Sequence, residues 1–274
     1  MAESSSRVVL ITGASSGIGR ACAEYLHARG YRVYGTSRRG DGAAGTGGPV
    51  MLAMDVTSEA SVRAAVAMVV AREGRLDVVV NNAGCGIAGA VEDTSIDEAR
   101  AQFDTNFFGV LRVCRAVLPV LRAQGGGHLV NISSIGGLIA IPFQGLYSAS
   151  KFAVEGMTES LRAEVRPYGI QVALIEPGDF RTGFTAGRRQ VAAAADSVYH
   201  ARYRAALGVM EADEQGGAAP DEVARVLERI ITTPSPALRH LAGPFMQKLS
   251  VRVLMRILPQ RWFERLIAGY YQIG

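Results

Sequence analysis

The sequence predicts an α/β fold, a doubly wound domain whose central parallel sheet of about seven strands carries helices on both faces. Short β-branched runs alternate with longer segments of helical periodicity, which is typical of βα units. The runs 78–80, 128–132 and 171–175 are almost continuously apolar, as expected of strands that are covered on both faces. The chain has 274 residues, of which 49% are hydrophobic and 20% charged. That composition indicates one large globular domain.

The elements follow one another regularly from the amino terminus. We expect strands at 8–12, 32–36, 51–54, 76–80, 128–132, 171–175 and 238–241, and helices at 17–28, 58–71 and 220–231. Apolar residues recur at helical spacing from Phe103 to Leu121, which predicts one long helix that serves either the core or an oligomer interface. The glycine-rich stretch 40–49 predicts a surface loop.

The whole chain is expected to form a single Rossmann-type domain over 1–274. Within it, the looser pattern of 183–219 predicts a helix-rich insertion beside the substrate, and 244–274 an amphipathic tail. This tail is expected to pack over the substrate cleft or against a second subunit. Contact with a membrane surface is the less favoured alternative.

Composition argues against several other classes of protein. The net charge is +4, and the basic residues are scattered rather than gathered into a block, so we expect no nucleic-acid partner. Cys22, Cys85 and Cys114 lie far apart without CxxC spacing or a histidine cluster, so neither a disulfide framework nor a metal site is expected. No apolar run reaches the roughly 18 residues of a membrane span, and a cytoplasmic location is the simplest expectation.

A glycine-rich turn follows the first predicted strand and opens the first helix. In this position, backbone amides can approach a pyrophosphate at the helix amino terminus. We therefore expect a dinucleotide site. Its residues are Gly13, Ser15, Ser16, Gly17, Ile18 and Gly19.

The end of the second predicted strand indicates which dinucleotide binds. A site for NAD(H) usually places an acidic residue there to bind the ribose hydroxyls, whereas this chain has Ser37, Arg38 and Arg39. A guanidinium can pair bidentately with a 2′-phosphate. We therefore expect NADP(H) to be preferred, with NAD(H) possible.

Tyr147 and Lys151 are four residues apart and fall on one face of a predicted helix. A nearby cation favours the phenolate and lowers the pKa of a tyrosine, which would bring it closer to the range useful for proton transfer. This spacing alone also fits an ordinary amphipathic pair, so the interpretation depends on the other motifs.

Those motifs together resemble the short-chain dehydrogenase/reductase superfamily over nearly the whole chain. The glycine-rich turn, Asp55 and Val56 after the third strand, and Asn81 to Gly84 after the fourth occur in the family's order. The resemblance implies a catalytic tetrad of Asn106, Ser134, Tyr147 and Lys151. It also implies cofactor contacts from Asp55, Val56, Asn82, Ala83, Gly84, Tyr147, Lys151, Pro177, Gly178 and Thr182, with a structural role for Asn81.

This resemblance implies hydride transfer between a nicotinamide and a carbonyl carbon, with Tyr147 as the general acid and base. Ser134 would bond the carbonyl oxygen, Lys151 would lower the tyrosine pKa, and Asn106 would hold a water linked to Lys151. The alternative is a catalytically silent dinucleotide-binding regulator on the same fold. The resemblance to the superfamily also leads us to expect a homodimer or homotetramer.

Within the superfamily, the segments around Ser134 and Tyr147 look most like the branch of 17β-hydroxysteroid and retinol dehydrogenases. A pocket lined by Leu138, Phe143 and Phe184 would be apolar, which suits a hydrophobic ketone, aldehyde or alcohol. The same side chains could instead belong to the core. The substrate itself is not specified by these residues.

Overall fold

The central sheet has seven parallel strands in the computed structural model, which describes residues 6–40, 47–244, 247 and 258–274. The strands of the described chain are β1 Val8–Ile11, β2 Arg32–Ser37, β3 Val50–Ala53, β4 Val78–Asn81, β5 Ile87–Ala88, β6 Gly127–Ile132, β7 Ile170–Pro177, β8 Arg189–Gln190 and β9 Arg239–Ala242. The sheet order is β3-β2-β1-β4-β6-β7-β9, and β5 pairs with β8 in a separate ribbon. The predicted doubly wound sheet is therefore confirmed.

Helices cover both faces of this sheet. They are α1 Gly17–His27, α2 Glu59–Glu73, α3 Ile96–Phe103, α4 Gly109–Ala123, α5 Gly145–Val165, α6 Phe184–Gly187, α7 His200–Gly216, α8 Asp221–Thr232 and α9 Gln260–Tyr270. One core lies between the sheet and α2, α4 and α5, and the other between the sheet and α1 and α8. Strand β1 shows the alternation directly, because Val8 and Leu10 face the first core while Val9 and Ile11 face the second.

Local signals explain where several helices begin and end. The Ser58 hydroxyl accepts a hydrogen bond from the Ser61 amide at the start of α2, and Gly74 ends that helix with a φ of 70°. At the start of α3, Ser95 and Glu98 form a reciprocal capping box. In each of these amino-terminal caps the bonded residues are three positions apart in the chain, so these helix boundaries can be predicted from sequence.

The predicted long helix from Phe103 to Leu121 is not a uniform α-helix. A π-helical turn at Asp104–Phe108 separates α3 from α4 and contains the buried Asn106. The Asn106 side chain bonds both backbone groups of Cys85, and this contact with another segment favours the wider turn. The spacing of apolar residues in the sequence, which follows a period of about 3.6, does not reveal a π-helical turn.

Other differences concern short or undescribed segments. Strands β5 and β8 were not expected, because two residues are too few to show a period. Most of the predicted surface loop falls on 41–46, and much of the predicted tail on 245–246 and 248–257, which lie outside the described residues. The described end of the tail, α9 and the residues after it, packs through Ile267, Tyr271 and Ile273 in a cluster with Met210 of α7.

Candidate active site

The glycine-rich turn between β1 and α1 is packed against the segment that follows β4. Gly13 and Gly17 have φ values of 66° and 54°, a region that favours glycine. A Cβ on Gly13 would lie 2.9 Å from the Ala83 Cα. On Gly19 it would lie 2.3 Å from the Asn82 Nδ2 and 2.4 Å from the Gly13 oxygen. Packing therefore requires glycine at two of the predicted cofactor positions.

Polar bonds hold these two segments together. The Asn82 Nδ2 donates to the Thr12 oxygen at 2.9 Å and to the Gly13 oxygen at 3.1 Å. The Thr12 hydroxyl accepts from the amides of Asn82 and Ala83 at 2.9 and 2.8 Å. Thr12 was not among the predicted site residues, although its position at the end of a buried strand could have indicated this role.

The first turn of α1 has the properties of an anion site. Ser16 caps the helix in an extended conformation, its side chain makes no capping bond, and the first turn contains no acidic residue. The helix dipole and the amides of this turn therefore remain available to a phosphate. Ser15 is exposed beside them, while Ile18 is partly buried against the core between α1 and the sheet. This arrangement fits the pyrophosphate of a dinucleotide.

The predicted adenosine end lies where β2 and β3 finish. Arg38 and Arg39 are exposed just after Ser37, the last residue of β2. The Asp55 carboxylate accepts from the amide and hydroxyl of Thr57, which lower its pKa more than the nearby Arg38 does. Neighbouring Val56 is buried, and its carbonyl oxygen accepts from the Arg112 Nη1 at 3.2 Å. The guanidinium of Arg38 is thus close enough to Asp55 to influence it electrostatically.

The three proton-transfer candidates come together in the fold. Ser134 follows β6, and Tyr147 and Lys151 lie one turn apart on α5. All three are buried, and the Ser134 hydroxyl is near enough to the Tyr147 phenol to lower its pKa, against the larger effect of burial. The Ser134 hydroxyl also accepts from the Gly136 amide at 3.0 Å, which holds it in place. Since a Cβ on Gly136 would lie 3.2 Å from the Tyr147 Cε1, the phenol packs closely over this turn.

The ionisation of this pair differs from the sequence-based expectation. Burial raises the pKa of Tyr147 to about 12, and the nearby Ser134 hydroxyl opposes that effect. Burial also lowers the pKa of Lys151 to about 8. The Lys151 Nζ donates to the Ile132 oxygen at 2.9 Å and lies 5.9 Å from the Tyr147 ring centroid. Desolvation therefore outweighs the expected lowering of the tyrosine pKa by the cation.

Asn106 lies next to this cluster, and its side-chain amide is hydrogen-bonded to the protein at both ends. Its Oδ1 accepts from the Cys85 amide at 2.9 Å, and its Nδ2 donates to the Cys85 oxygen and the Ser150 hydroxyl. Gln102, one turn earlier, bonds the same segment through Cys85 and Ile87. A Cβ on Gly84 would lie 3.4 Å from the Asn106 Oδ1 and 3.9 Å from the Lys151 Nζ. Asn106 and Lys151 thus both lie beside Gly84.

Asn81 has the structural position that was expected of it. Its Nδ2 donates to the Asn131 Oδ1 at 2.9 Å, and the Asn131 Nδ2 donates to the Thr158 hydroxyl at 2.8 Å. All three side chains are buried. This chain of bonds joins β4, β6 and α5 behind the proposed reacting groups.

The segment after β7 closes over the glycine-rich turn. Gly178, which follows Pro177, donates its amide to the Ala242 oxygen at 2.9 Å. The Thr182 hydroxyl accepts from the Phe184 amide at 3.2 Å, and a Cβ on Gly17 would lie 3.3 Å from the Thr182 Cβ. An open groove of about 930 Å³ lies between Gly17, Thr182 and α7. Of the predicted cofactor residues, Gly17 at the start of α1 and Thr182 after β7 line this groove.

The predicted substrate residues surround the phenol unequally. The Phe184 ring centroid lies 5.8 Å from that of Tyr147. Phe143 has a φ of 59°, which is strained for a bulky residue, and its ring meets the Tyr203 ring edge to face at 5.7 Å. Leu138 ends the short helical turn after Ser134 and is half-buried. Phe184 is the one of the three with a ring contact to Tyr147.

Polar residues in the insertion 183–219 and in the segment just before it were not identified as site residues from sequence. Arg188 pairs with Glu214 of α7, and Asp179 accepts from the Gln247 side chain. Burial raises the pKa of Asp179 to about 6, with further increases from nearby acidic side chains. Arg188 and Glu214 are far apart in sequence and form no recognisable motif.

Among residues 6–40, 47–244, 247 and 258–274, no helix is long and apolar enough to cross a membrane. The same ranges contain no group of three or more histidine, cysteine, aspartate or glutamate side chains able to hold a metal ion. Cys22 and Cys114 are buried in the cores as unpaired thiols, while Cys85 is half-buried at the site.

Known proteins resemble this chain in both sequence and fold. A 3-ketodihydrosphingosine reductase of Bacteroides thetaiotaomicron is 44% identical over 268 residues, which cover 97% of this chain and 98% of that protein. A short-chain dehydrogenase from Streptomyces avermitilis has a crystal structure that matches with a TM-score of 0.82, 36% identity and 94% coverage of each chain.

A second solved structure, a short-chain dehydrogenase/reductase from Burkholderia phymatum in complex with NAD, matches with a TM-score of 0.77. It is 26% identical and covers 92% of this chain and 93% of its own. The sequence profile of the short chain dehydrogenase family matches residues 7–192. With the glycine-rich turn, the buried Ser134–Tyr147–Lys151 cluster and the seven-stranded sheet in place, this chain belongs to the short-chain dehydrogenase/reductase family of oxidoreductases.

Proposed function

We propose that this protein is an NADP(H)-dependent reductase that interconverts a hydrophobic ketone and its alcohol, with Tyr147 as general acid and base. The observation that carries the proposal is the burial of Ser134, Tyr147 and Lys151 together, with the Ser134 hydroxyl and the Tyr147 ring both beside Gly136 and the Lys151 Nζ 5.9 Å from the centroid of that ring. This cluster lies next to a glycine-rich turn whose geometry suits a dinucleotide. It contains every residue type that a carbonyl reduction requires from the protein.

A bound nicotinamide would supply or accept the hydride, and the side chains of this protein handle the proton. In the reducing direction, the Tyr147 hydroxyl donates its proton to the carbonyl oxygen. Because burial raises its pKa to about 12, the phenol is protonated at neutral pH and ready to act as an acid. Ser134 donates a hydrogen bond to the same oxygen as negative charge develops there.

Lys151 is suited to replacing the proton that Tyr147 gives up. Its pKa is lowered to about 8, close enough to neutral pH for the ammonium to lose and regain a proton during turnover. Asn106 and the nearby backbone would hold a water between Lys151 and solvent. Lys151 would also bind the nicotinamide ribose, as the family resemblance implies.

Three structural features support binding of the cofactor by the predicted residues. The open first turn of α1 would hold the pyrophosphate, the segment from Asn82 to Gly84 would line the nicotinamide ribose, and Thr182 would bond the carboxamide. The exposed Arg38 would pair with a 2′-phosphate, because it lies beside Asp55 at the adenosine end. This pairing is the basis for preferring NADP(H), while NAD(H) can still bind the rest of the groove.

The substrate is proposed to be a long-chain ketone of the 3-ketodihydrosphingosine type. The relative with that activity in its name is 44% identical over nearly the full length of both chains. Phe184 and Phe143 provide apolar surface near Tyr147, and a cavity of about 440 Å³ beside Phe143 is lined partly by Val91, Pro142 and Ile273. Such a cavity could take part of an alkyl chain.

We also place the protein in the cytoplasm as a homodimer or homotetramer. Phe108, just before α4, and Phe152 of α5 are each 45% exposed, so this face presents bulky apolar side chains for a second copy to cover. Peripheral contact of the tail with a membrane stays the less favoured alternative. Size-exclusion chromatography with light scattering would decide the oligomeric state.

The test of the proposed function is NADPH oxidation by purified protein with long-chain ketones, including 3-ketodihydrosphingosine. The cofactor part is tested with Arg38→Ala, which should lower kcat/KM for NADPH by about 10–100-fold and change that for NADH little. Arg229→Ala removes an exposed arginine on α8 as the matched control and should alter neither value.

Two outcomes would contradict the proposal separately. Comparable kcat/KM for NADPH and NADH in the unmodified protein would remove the cofactor preference. Tight NADPH binding without turnover of any ketone or alcohol would favour a catalytically silent regulatory protein.

A further inference from the structure

Arg188 is a buried guanidinium with hydrogen-bonding capacity that the described protein does not use. Its side chain is only 3% exposed, and its Nη2 pairs with the Glu214 Oε1. The Nε and Nη1 atoms are buried and find no acceptor within the described residues. Buried N–H groups of a charged side chain are costly to leave unpaired, so a partner is expected.

Glu214 does not satisfy the remaining donors of Arg188. Its Oε1 takes the Nη2 of Arg188, and its Oε2 accepts from the Thr185 hydroxyl. The ion pair therefore holds the guanidinium in one orientation while leaving one edge of it unpaired. A carboxylate placed only to neutralise Arg188 could have accepted two parallel N–H bonds instead.

The unpaired guanidinium is close to the proposed reacting groups. The Arg188 Cζ lies 5.6 Å from the Phe184 ring centroid, and the Phe184 centroid lies 5.8 Å from that of Tyr147. Burial dominates the pKa of Tyr147, and the charges of Glu214 and Arg188 make smaller contributions that raise and lower it. The Phe184 ring thus lies against both the guanidinium and the phenol.

Tyr203 provides a second unused donor in the same region. Its side chain is 2% exposed, and its hydroxyl has no hydrogen-bond partner within the described part of the chain. Burial raises the pKa of this phenol, and Arg204 and Arg188 oppose that effect. The Tyr203 ring is held by its edge contact with Phe143 and packs in one buried cluster with Val191, three residues after Arg188.

We infer that Arg188 and Tyr203 bind an oxygen substituent of the substrate, a hydroxyl a few bonds from the reacting carbonyl. This inference rests on the proposed ketone reduction and names the polar part of its substrate. The hydroxyl oxygen accepts hydrogen bonds from the guanidinium and the phenol, and the carbonyl is thereby oriented toward Tyr147 and Ser134. The substrate class is a hydroxyketone with an apolar chain, rather than a plain hydrocarbon ketone.

The experiment compares a long-chain 1-hydroxyalkan-3-one with the alkan-3-one of the same length, using NADPH as reductant. A site built to bond a hydroxyl rejects an analogue without it strongly, so the unmodified protein should favour the hydroxyketone by about 100-fold or more in kcat/KM. Arg188→Lys keeps a cation for Glu214 but loses the planar fork, and it should reduce this ratio at least tenfold, mainly through the KM of the hydroxyketone.

Two further variants sharpen the comparison. Tyr203→Phe keeps the ring and removes the unpaired hydroxyl, so the ratio should fall several-fold while the free energy of unfolding stays the same or rises. Arg204→Met changes an exposed arginine next to Tyr203 on α7 and should leave the ratio as it is.

The possible failures are distinguishable. If the unmodified protein reduces neither ketone, the proposed function is wrong. If it reduces both with similar kcat/KM, or if Arg188→Lys keeps the original ratio, the reductase proposal stands and the role of Arg188 is overturned.

Discussion

The two sides of the catalytic cluster are built on different physical principles. On the cofactor side, polar groups bond one another, as Thr12 and Asn82 do, and the site is shaped by glycines that exclude a Cβ. On the substrate side, charged groups are buried, and the donors of Arg188 and Tyr203 lack partners among the described residues. The first side holds its shape through bonds within the protein and offers only the exposed amides of the first turn of α1 to a ligand, whereas the second has buried donors with bonds still to make.

This difference separates what the fold requires from what a particular substrate requires. The glycine-rich turn holds its shape by close packing, so it can serve any ligand with the same pyrophosphate. The polar groups of α7 and the segment after Thr182 lower the stability of the protein unless a ligand satisfies them. The choice of substrate is therefore expected to depend on the polar groups of the substrate side, and the binding of the dinucleotide on the packing of the cofactor side.

The largest effect is expected from Tyr147→Phe, at the boundary between the two sides. The substitution keeps the aromatic ring against Phe184 and removes the proton donor. We expect turnover to fall about 10²–10⁴-fold, measured as NADPH oxidation under saturating ketone. Binding of NADPH, measured by fluorescence, should change little, because the glycine-rich turn is untouched.

Tyr168→Phe is the matched control, since Tyr168 is 49% exposed and lies in the turn after α5. It should retain full turnover. A Tyr147→Phe variant with more than a tenth of the original activity would show that another group supplies the proton.

A smaller effect is expected from Gly19→Ala, which tests whether close packing defines the cofactor side. Alanine is favoured over glycine inside a helix by about 1 kcal/mol. Here its Cβ would lie 2.3 Å from the Asn82 Nδ2 and 2.4 Å from the Gly13 oxygen, and overpacking of this kind costs about 1–3 kcal/mol. The clash should outweigh propensity, lowering the free energy of unfolding and weakening NADPH binding at least tenfold.

Gly208→Ala on α7 is the control, because a Cβ there meets nothing within 4 Å. Urea unfolding should show it to be as stable as the unmodified protein or slightly more so. Equal stability and equal NADPH affinity for Gly19→Ala and Gly208→Ala would mean that the turn tolerates a side chain.

The same contrast explains how far sequence reasoning reached. The strands, the glycine-rich turn and the spacing of Tyr147 and Lys151 are local patterns, and the sheet brings them together as expected. The π-helical turn at Asn106 depends on bonds to Cys85, twenty-one residues away in sequence. No local pattern indicates such a bond.

The pKa values and ion pairs of the site were the properties least predictable from the sequence. The pKa of Tyr147 depends on how deeply the fold buries it, and the Lys151 spacing alone suggested the opposite direction. Arg188 and Glu214 are twenty-six residues apart and form an ion pair only because the segment after Thr182 folds back on α7. These are the groups that distinguish this substrate side from a generic one.

The smallest predicted effect concerns Asp179, a half-buried carboxyl on the substrate side that also bonds Gln247. Burial, reinforced by the charges of Asp213 and Glu214, raises its pKa to about 6, above the value near 3.9 of an unfolded chain. The stability contributed by this group is therefore fully present below about pH 3.9 and is lost as the pH rises through about 6. Asp179→Asn stays neutral and should be more stable than the unmodified protein by about 1–2 kcal/mol at pH 8, with a smaller difference at pH 5.

Urea unfolding at the two pH values measures this difference, and comparing the two proteins at each pH cancels the titration of all other groups. Asp97→Asn is the control, because that carboxylate is 92% exposed and its loss should change stability by no more than a few tenths of a kcal/mol at either pH. If Asp179→Asn were equally stable or less stable at pH 8, the carboxylate would be stabilised by its surroundings. The substrate side would then resemble the cofactor side, with its polar groups already satisfied by the protein.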